Sequence, residues 1–307
     1  MKKVFIDGKA GTTGLRIYER LENRDDIVLL TLSEEDRKDK EKRRQMINES
    51  DISFLCLPDE ASIESVSMVE NQNTVIIDTS TAHRTNSDWT YGFPEIVGKD
   101  KVANSKRIAV PGCHAGGFVA LIYPLVKKGI LSPDALLTCH SITGYSGGGK
   151  KMIAQYEQEK SALLGAPRQY GLTQNHKHLK EMKGIAGLNN PPVFSPIVSD
   201  FYSGMVMTVP IFVQNLEKGK NAEDIKREYT GLYNGEIVKY VENSDEEGFI
   251  SGAGLSGLDK MEISVFGNEE RILLVARYDN LGKGALGAAI QCMNIVMQTD
   301  EKTGLSI

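Results

Sequence analysis

The segment VPGCHAGGF, Val110 to Phe118, places a cysteine and a histidine between two glycine-bearing turns, just before the long apolar run FVALIYPLV. Pro111-Gly112 ends one apolar run and Gly116-Gly117 opens the next, so Cys113 is expected in a turn at the start of a helix. There, unsatisfied N–H groups and the helix dipole stabilise a thiolate and lower the thiol pKa. Cys56, Cys139 and Cys292 lie within apolar runs, where a cysteine packs as a small hydrophobe. None of the four has CxxC spacing, which points away from a zinc site and from a disulfide framework.

A thiolate beside a nicotinamide suggests acyl chemistry: a carbonyl captured on sulfur exchanges hydride with the cofactor, and a proton donor is needed. Five histidines are available: His83, His114, His140, His176 and His178. His114 is either a passive neighbour of the cysteine or a second titrating group. His140, in mid-strand, reads as a core or solvated group, and His83 stays open. His176 and His178 flank Lys177, and if this piece is helical they lie far apart on the helix surface. One of the two is expected to reach a site. Spacing supports no cluster of metal ligands.

A second motif, Gly8-Lys9-Ala10-Gly11-Thr12-Thr13-Gly14, follows an apolar run and opens a helical pattern, where backbone N–H groups and a helix N-terminus meet a pyrophosphate. Its spacing is GxxGxxG, which also serves a plain strand-to-helix turn. The ribose-binding position at the end of the second run carries Ser33, followed by Glu34, Glu35, Arg37 and Lys38. A hydroxyl with nearby cations suits a 2′-phosphate, so the expected cofactor is NADP (NADPH), with Ser33 and Arg37 as its phosphate contacts.

These motifs need a scaffold. Over the first 110 residues short apolar runs (VFID, IVLLTLS, ISFLCL, TVIIDTS, RIAV) alternate with polar, helix-length segments such as 34–48, the pattern of a parallel sheet with crossover helices. After Cys113 the strand candidates are LLTCHSIT, MVMTVPIFV, EISVFG and RILLVAR, the last two joined as a hairpin at Gly267-Asn268. A glycine-spaced helix, 284–298, closes the chain. The fold class expected from this alternation is α/β, with the first half a Rossmann-type doubly wound parallel sheet.

At 40% hydrophobic and 25% charged the chain has globular usage, and a net charge of −5 with interspersed signs argues against nucleic acid or an anionic membrane as partner. An anionic substrate must therefore be met locally. The first apolar run is too short for a signal-peptide core, so the cytoplasm is expected. Residues 108–126 lack charge apart from His114, but Pro111, Pro124 and their glycines oppose a membrane span.

Eight segments in order, IDGKAGTTG, DTSTAHR, YGFPEI, VPGCHAGGF, SITGYSGGGKKMI, HKHLKEM, GMVMTVPI and DNLGKGALGAAIQCMN, resemble the N-acetyl-gamma-glutamyl-phosphate reductases of arginine biosynthesis in their shorter form. The resemblance implies attack by the cysteine on an acyl phosphate, loss of phosphate, and reduction of the thioester by NADPH to N-acetylglutamate semialdehyde. It maps the nucleophile to Cys113 and the acid/base to His178, with His176 as alternative and Glu181 as an orienting or surface group. It also assigns Ser146, Gly147, Gly148 and Asn280 to cofactor-side loops, and it implies a homo-oligomer, dimer or tetramer. The layout it implies has residues 1–112, completed by the C-terminal helix 280–307, as the NADP-binding domain and 113–279 as a second α+β catalytic and oligomerisation domain. The chain departs from the family pattern at His114, Gly116 and Lys180. Rival readings are aspartate-semialdehyde dehydrogenase, an aminoadipate-type homologue with one more methylene in its substrate, and a nucleotide-sensing module without chemistry. Arg107 and Arg168 are candidate partners for the substrate carboxylate.

Overall fold

The computed structural model describes residues 1–158 and 161–307; the side chain of Thr12, one of the expected cofactor contacts, lies outside the described residues. The chain forms two compact units, Met1–Gly112 with Ala285–Leu305, and Cys113–Gly284 with Ser306–Ile307.

In the first unit β1 (Lys2–Asp7), β2 (Ile27–Leu30), β3 (Ile52–Leu55), β4 (Val75–Asp78), β5 (Thr90–Tyr91) and β6 (Arg107–Ala109) pair in the order β2-β1-β3-β4-β6-β5, every pair parallel. β3 and β4 are buried along their whole length, which is why they read as unbroken apolar runs rather than alternating ones. The crossovers carry α1 (Thr12–Leu21), α2 (Lys40–Glu49), α3 (Asp59–Ser67), α4 (Pro94–Val97) and α5 (Lys99–Ala103). The helix expected over 34–48 starts only at Lys40, because Asp39 caps it, its carboxylate accepting from the N–H groups of Glu41 and Lys42. A short 3-10 turn, Asp36–Lys38, precedes it.

Two buried carboxylates pin the strand ends of this sheet. Asp7, closing β1, holds Arg43 of α2 (Nη2–Oδ2 3.0 Å) and accepts from Ser65 Oγ at 2.9 Å. Asp78, closing β4, accepts from Ser62 and from the backbone and hydroxyl of Ser80, and meets His83 Nδ1 at 2.6 Å. His83 also stacks on Trp89 at 4.0 Å, so this histidine is a member of the scaffold.

The second unit is a mixed sheet of β7 (Thr138–Gly144), β8 (Arg168–Gln169), β9 (Val193–Ser199), β10 (Met205–Phe212), β11 (Val238–Tyr240), β12 (Met261–Gly267) and β13 (Arg271–Tyr278), in the order β11-β12-β13-β10-β7-β9-β8. Its helices are α6 (Cys113–Lys127), α7 (Gly149–Glu157), α8 (His178–Ala186) and α9 (Ala222–Leu232). The hairpin at Gly267-Asn268 forms as expected: Gly267 has φ +124° and Asn268 N–H donates to Arg271 O at 2.8 Å. β9 was not legible because Pro196 interrupts its apolar run, and a proline normally demotes a strand. It pairs in parallel with β7 all the same.

α6 is buried on nearly every side yet contains Pro124. A proline there has no N–H for the carbonyl four residues back, that of Ala120. Tyr233 of α9 supplies the missing donor, its hydroxyl reaching Ala120 O at 2.6 Å, while Tyr229 donates to Leu121 O. Both rings are buried. Tyr233→Phe therefore leaves a buried carbonyl without a donor, and urea unfolding is expected to show a loss of about 1–3 kcal/mol. An unchanged midpoint would mean that Ala120 finds another donor.

Candidate active site

Cys113 is the first residue of α6, as its flanking glycines require. Tyr278, at the end of β13, donates its hydroxyl to Cys113 O at 2.6 Å, and a Cβ on Gly117 would lie 2.3 Å from that hydroxyl. Gly284 packs here too, its would-be Cβ 3.3 Å from both Cys113 Cβ and the Tyr278 ring. The glycines thus let a tyrosine ring and a loop close on the cysteine backbone. The thiols elsewhere differ: Cys139 and Cys292 are buried, and desolvation pushes Cys56 and Cys139 up to about 12, leaving them protonated and inert.

Ligand atoms of Cys113, His114 and His178 lie within 4.8 Å of one another. Sequence spacing gave no hint of this cluster, because it is made by packing α8 against α6. Such proximity is what a nucleophile and its base need. His178 is the first residue of α8 and is buried, and its N–H donates to His176 Nδ1 at 3.2 Å. The chain at 176–178 is thus a helix entry, neither extended nor helical throughout. The His176 ring lies nearby, 4.8 Å from His178 and 5.7 Å from His114. Only His178 belongs to the group with Cys113. Glu181, one turn on, is 3% exposed, which rules out the surface role allowed by sequence.

His114 Nδ1 meets Ser141 Oγ at 2.6 Å and its Nε2 meets Tyr170 OH at 2.7 Å. Burial, reinforced by His176 and Lys177, pushes its pKa down to about 3. It is a neutral strut between β7 and Tyr170, and the alternative of a titrating partner for Cys113 is set aside. Folded His114 takes up no proton until about pH 3, whereas an unfolded one does so near 6.5, so between these values the unfolded chain binds more protons and stability falls as pH falls. His114→Gln should flatten this acid limb by up to about 1.4 kcal/mol per pH unit, read from denaturant unfolding at stepped pH. A limb of unchanged slope would show that His114 does not set it.

The loops implied by resemblance are tied together. Asn280 Nδ2 donates to Ser146 Oγ at 3.0 Å and Gly204 N–H donates to Asn280 Oδ1 at 2.9 Å, while a Cβ on Gly147 would come within 3.4 Å of Asn280 Nδ2. Gly148 is crowded by Met152, 2.5 Å from a would-be Cβ. Asp279, unremarked in the sequence, is the buried hub of the second loop, accepting from Ser203, Gly257, Leu281 and Gly282. Its Asp-Asn-Leu-Gly run is the signal, since Asp commonly bonds N–H groups two and three residues on.

In the first unit a cavity of about 300 Å³ opens at the ends of β1 and β2, lined among others by Gly8, Lys9, Thr31, Arg37 and Lys38. Gly8 has φ +88° and a Cβ on it would lie 2.3 Å from Cys56 O; one on Gly14 would lie 2.4 Å from Gly8 O. The loop is therefore wound too tightly for side chains at Gly8 and Gly14. At Gly11, the N-cap of α1, no side chain caps the helix, and no acid stands in its first turn, which suits an anion at that N-terminus. These residues fit a dinucleotide. Thr13 stands in that first turn. Arg37 lines the cavity and bonds Glu34 at 2.7 Å. Ser33 is not among the lining residues, and its hydroxyl accepts from Asp36 N–H at 3.1 Å.

Residues 3–105 match the family model "Semialdehyde dehydrogenase, NAD binding domain", and residues 113–280 match "Semialdehyde dehydrogenase, dimerisation domain". The chain is 42% identical to an N-acetyl-gamma-glutamyl-phosphate reductase 2 of a Nostoc species, over 99% of both chains. It is 45% identical to the N-acetyl-gamma-glutamyl-phosphate reductase of Sinorhizobium medicae, over 96% of this chain and 98% of that one. Among solved structures it superposes on the aspartate semialdehyde dehydrogenase II of Vibrio cholerae with a TM-score of 0.73 at 17% identity, covering 97% of this chain and 98% of that one. For the aspartate semialdehyde dehydrogenase of Candida albicans, crystallised with NADP, the TM-score is 0.65 at 15% identity over 97% and 98%. The fold is thus common to the semialdehyde dehydrogenases, and by its full-length identity the chain belongs to the N-acetyl-gamma-glutamyl-phosphate reductase family.

Proposed function

We propose that the protein reduces N-acetyl-gamma-glutamyl phosphate to N-acetylglutamate semialdehyde and phosphate with NADPH, through a thioester on Cys113. The observation that carries the mechanism is the meeting of Cys113 with His178 at the first residues of two packed helices. Much lower identity to the aspartate enzymes, 17% against 42–45%, supports the acetylglutamyl substrate over aspartyl phosphate.

In this reading His178 takes the thiol proton as Cys113 sulfur bonds the acyl carbon, and the bond from that carbon to the phosphate oxygen breaks. NADPH, when bound, supplies a hydride to the thioester carbon. The imidazolium of His178 then protonates the resulting alkoxide. On collapse the carbon–sulfur bond breaks, the hydroxyl proton returns through His178, and aldehyde and thiol are released. Gly8, Gly11, Thr13 and Gly14 would hold the pyrophosphate, Arg37 and Lys38 the 2′-phosphate. We further propose a homo-oligomeric enzyme of the cytoplasm; the match of 113–280 to a dimerisation-domain model supports the oligomer. Among the described residues no helix is long and apolar enough to cross a membrane.

The test is the reverse reaction. Purified protein with N-acetylglutamate semialdehyde, NADP and inorganic phosphate should form NADPH only when phosphate is present. Turnover of aspartate semialdehyde or the aminoadipate analogue in its place would move the substrate, and silence with all three would overturn the enzyme.

A further inference from the structure

The substrate of the proposed reaction carries a carboxylate a few bonds from its reacting carbon, and the net negative charge of the chain makes a local cation necessary. The second unit holds four arginines, Arg168, Arg227, Arg271 and Arg277. Three are committed: Arg227 to Asp224, Arg271 to Glu270, and buried Arg277 to Glu246 and Glu262. Arg168 is half-buried and, among the described residues, meets no carboxylate. In the first unit Arg107, the other candidate, spends its Nη1 on the backbone carbonyls of Thr74 and Lys106.

The guanidinium of Arg168 is held in place rather than left to wander. Its Nε and Nη2 donate to Tyr156 OH at 3.3 and 2.9 Å, with the charge centre 5.2 Å from the ring centroid. Tyr156 in turn stacks on Tyr145 at 4.6 Å, the residue that opens the Ser146-Gly147-Gly148 turn. Bonding through Nε and Nη2 leaves the outer edge, Nη1 with the second N–H of Nη2, for a planar two-oxygen partner. Arg168 and Tyr170 flank exposed Gln169 on an extended chain, so their side chains share one face about 7 Å apart. Tyr170 reaches His114 Nε2 at 2.7 Å, and His114 adjoins Cys113. The cation therefore stands one pleat from the side chain that touches the catalytic cluster.

We infer that Arg168 binds the substrate's carboxylate and so positions the acyl carbon on Cys113. This rests on the proposed reaction and deepens it. A pre-held guanidinium loses little freedom on binding, which favours a two-oxygen anion at this place.

The experiment compares wild type, Arg168→Gln and Arg168→Lys in the phosphate-dependent oxidation of two aldehydes, N-acetylglutamate semialdehyde and 4-acetamidobutanal, which is the same molecule without the carboxylate. Wild type should prefer the carboxylated aldehyde by about 10²-fold or more in kcat/KM. Arg168→Gln should raise its KM at least 10-fold, leave the KM for phosphate within 2-fold, and bring the preference down toward one, with Arg168→Lys in between. A preference that survives in both variants overturns the inference, as does a rise in the phosphate KM alone, which would place the leaving group at Arg168. Wild-type silence toward the carboxylated aldehyde would instead be a failure of the proposed reaction, so the two are told apart. Since a half-buried arginine can also support folding, the preference within each variant is the deciding number: it is a ratio that a fall in active protein does not change.

Discussion

Cys113→Ser is expected to abolish phosphate-dependent NADPH formation, with a loss of about 10⁴-fold or more in kcat. The reason is chemical rather than structural. A serine hydroxyl at the start of α6 keeps the shape of the site, but it is far from ionised near neutral pH and makes a poorer nucleophile and leaving group than sulfur. Folding should be unaffected, because the Tyr278 hydroxyl on its carbonyl and Gly284 against its Cβ are contacts that a serine keeps. Thermal unfolding that matches wild type beside absent turnover is the expected pair of results. Turnover within 10-fold of wild type would show that the reaction does not run through sulfur, and the thioester mechanism would be withdrawn.

The second large effect belongs to the histidine pair. His178→Asn should lower kcat by about 10² to 10⁴, the range for loss of a general acid/base, and should remove the limb of the pH–rate profile that this imidazole imposes. His176→Asn should cost less than about 10-fold, since its ring packs against His178 and Phe194 and only His178 belongs to the group with Cys113. The reverse order of losses would transfer the acid/base role to His176. Equal losses would mean that the N–H of His178 must be held by His176 Nδ1 for the helix entry to form, and stability measurements on His176→Asn would then show the defect.

The parts of the molecule legible in its sequence are those set by neighbours along the chain. Parallel strands buried on both faces print unbroken apolar runs, and a cysteine between glycine turns prints a helix start. What could not be read depends on residues brought together from afar. His114 was undecidable because its state depends on Ser141, 27 positions on, and on Tyr170, 56 positions on. Tyr170 itself was missed, standing just after a two-residue strand with no periodicity to mark it. Asp7 looked like the end of an apolar run until Arg43 was found to share its burial. Ser33 was read from its position on the second strand, but that strand ends at Leu30 and the hydroxyl is drawn into the turn that follows.

The close fit of Gly117 beneath Tyr278 links two positions 161 apart in the chain. The ring carbons as well as the hydroxyl occupy the space of a Cβ, within 2.8 Å, so removing the hydroxyl alone would not make room for alanine. A change at Gly117 is therefore admissible only after Tyr278 has become smaller, and a smaller residue at 278 leaves a gap until 117 has grown. Such a pair changes together or not at all: its two substitutions should be strongly non-additive. In lineages descended from this sequence the glycine and the tyrosine should be inherited as a single character.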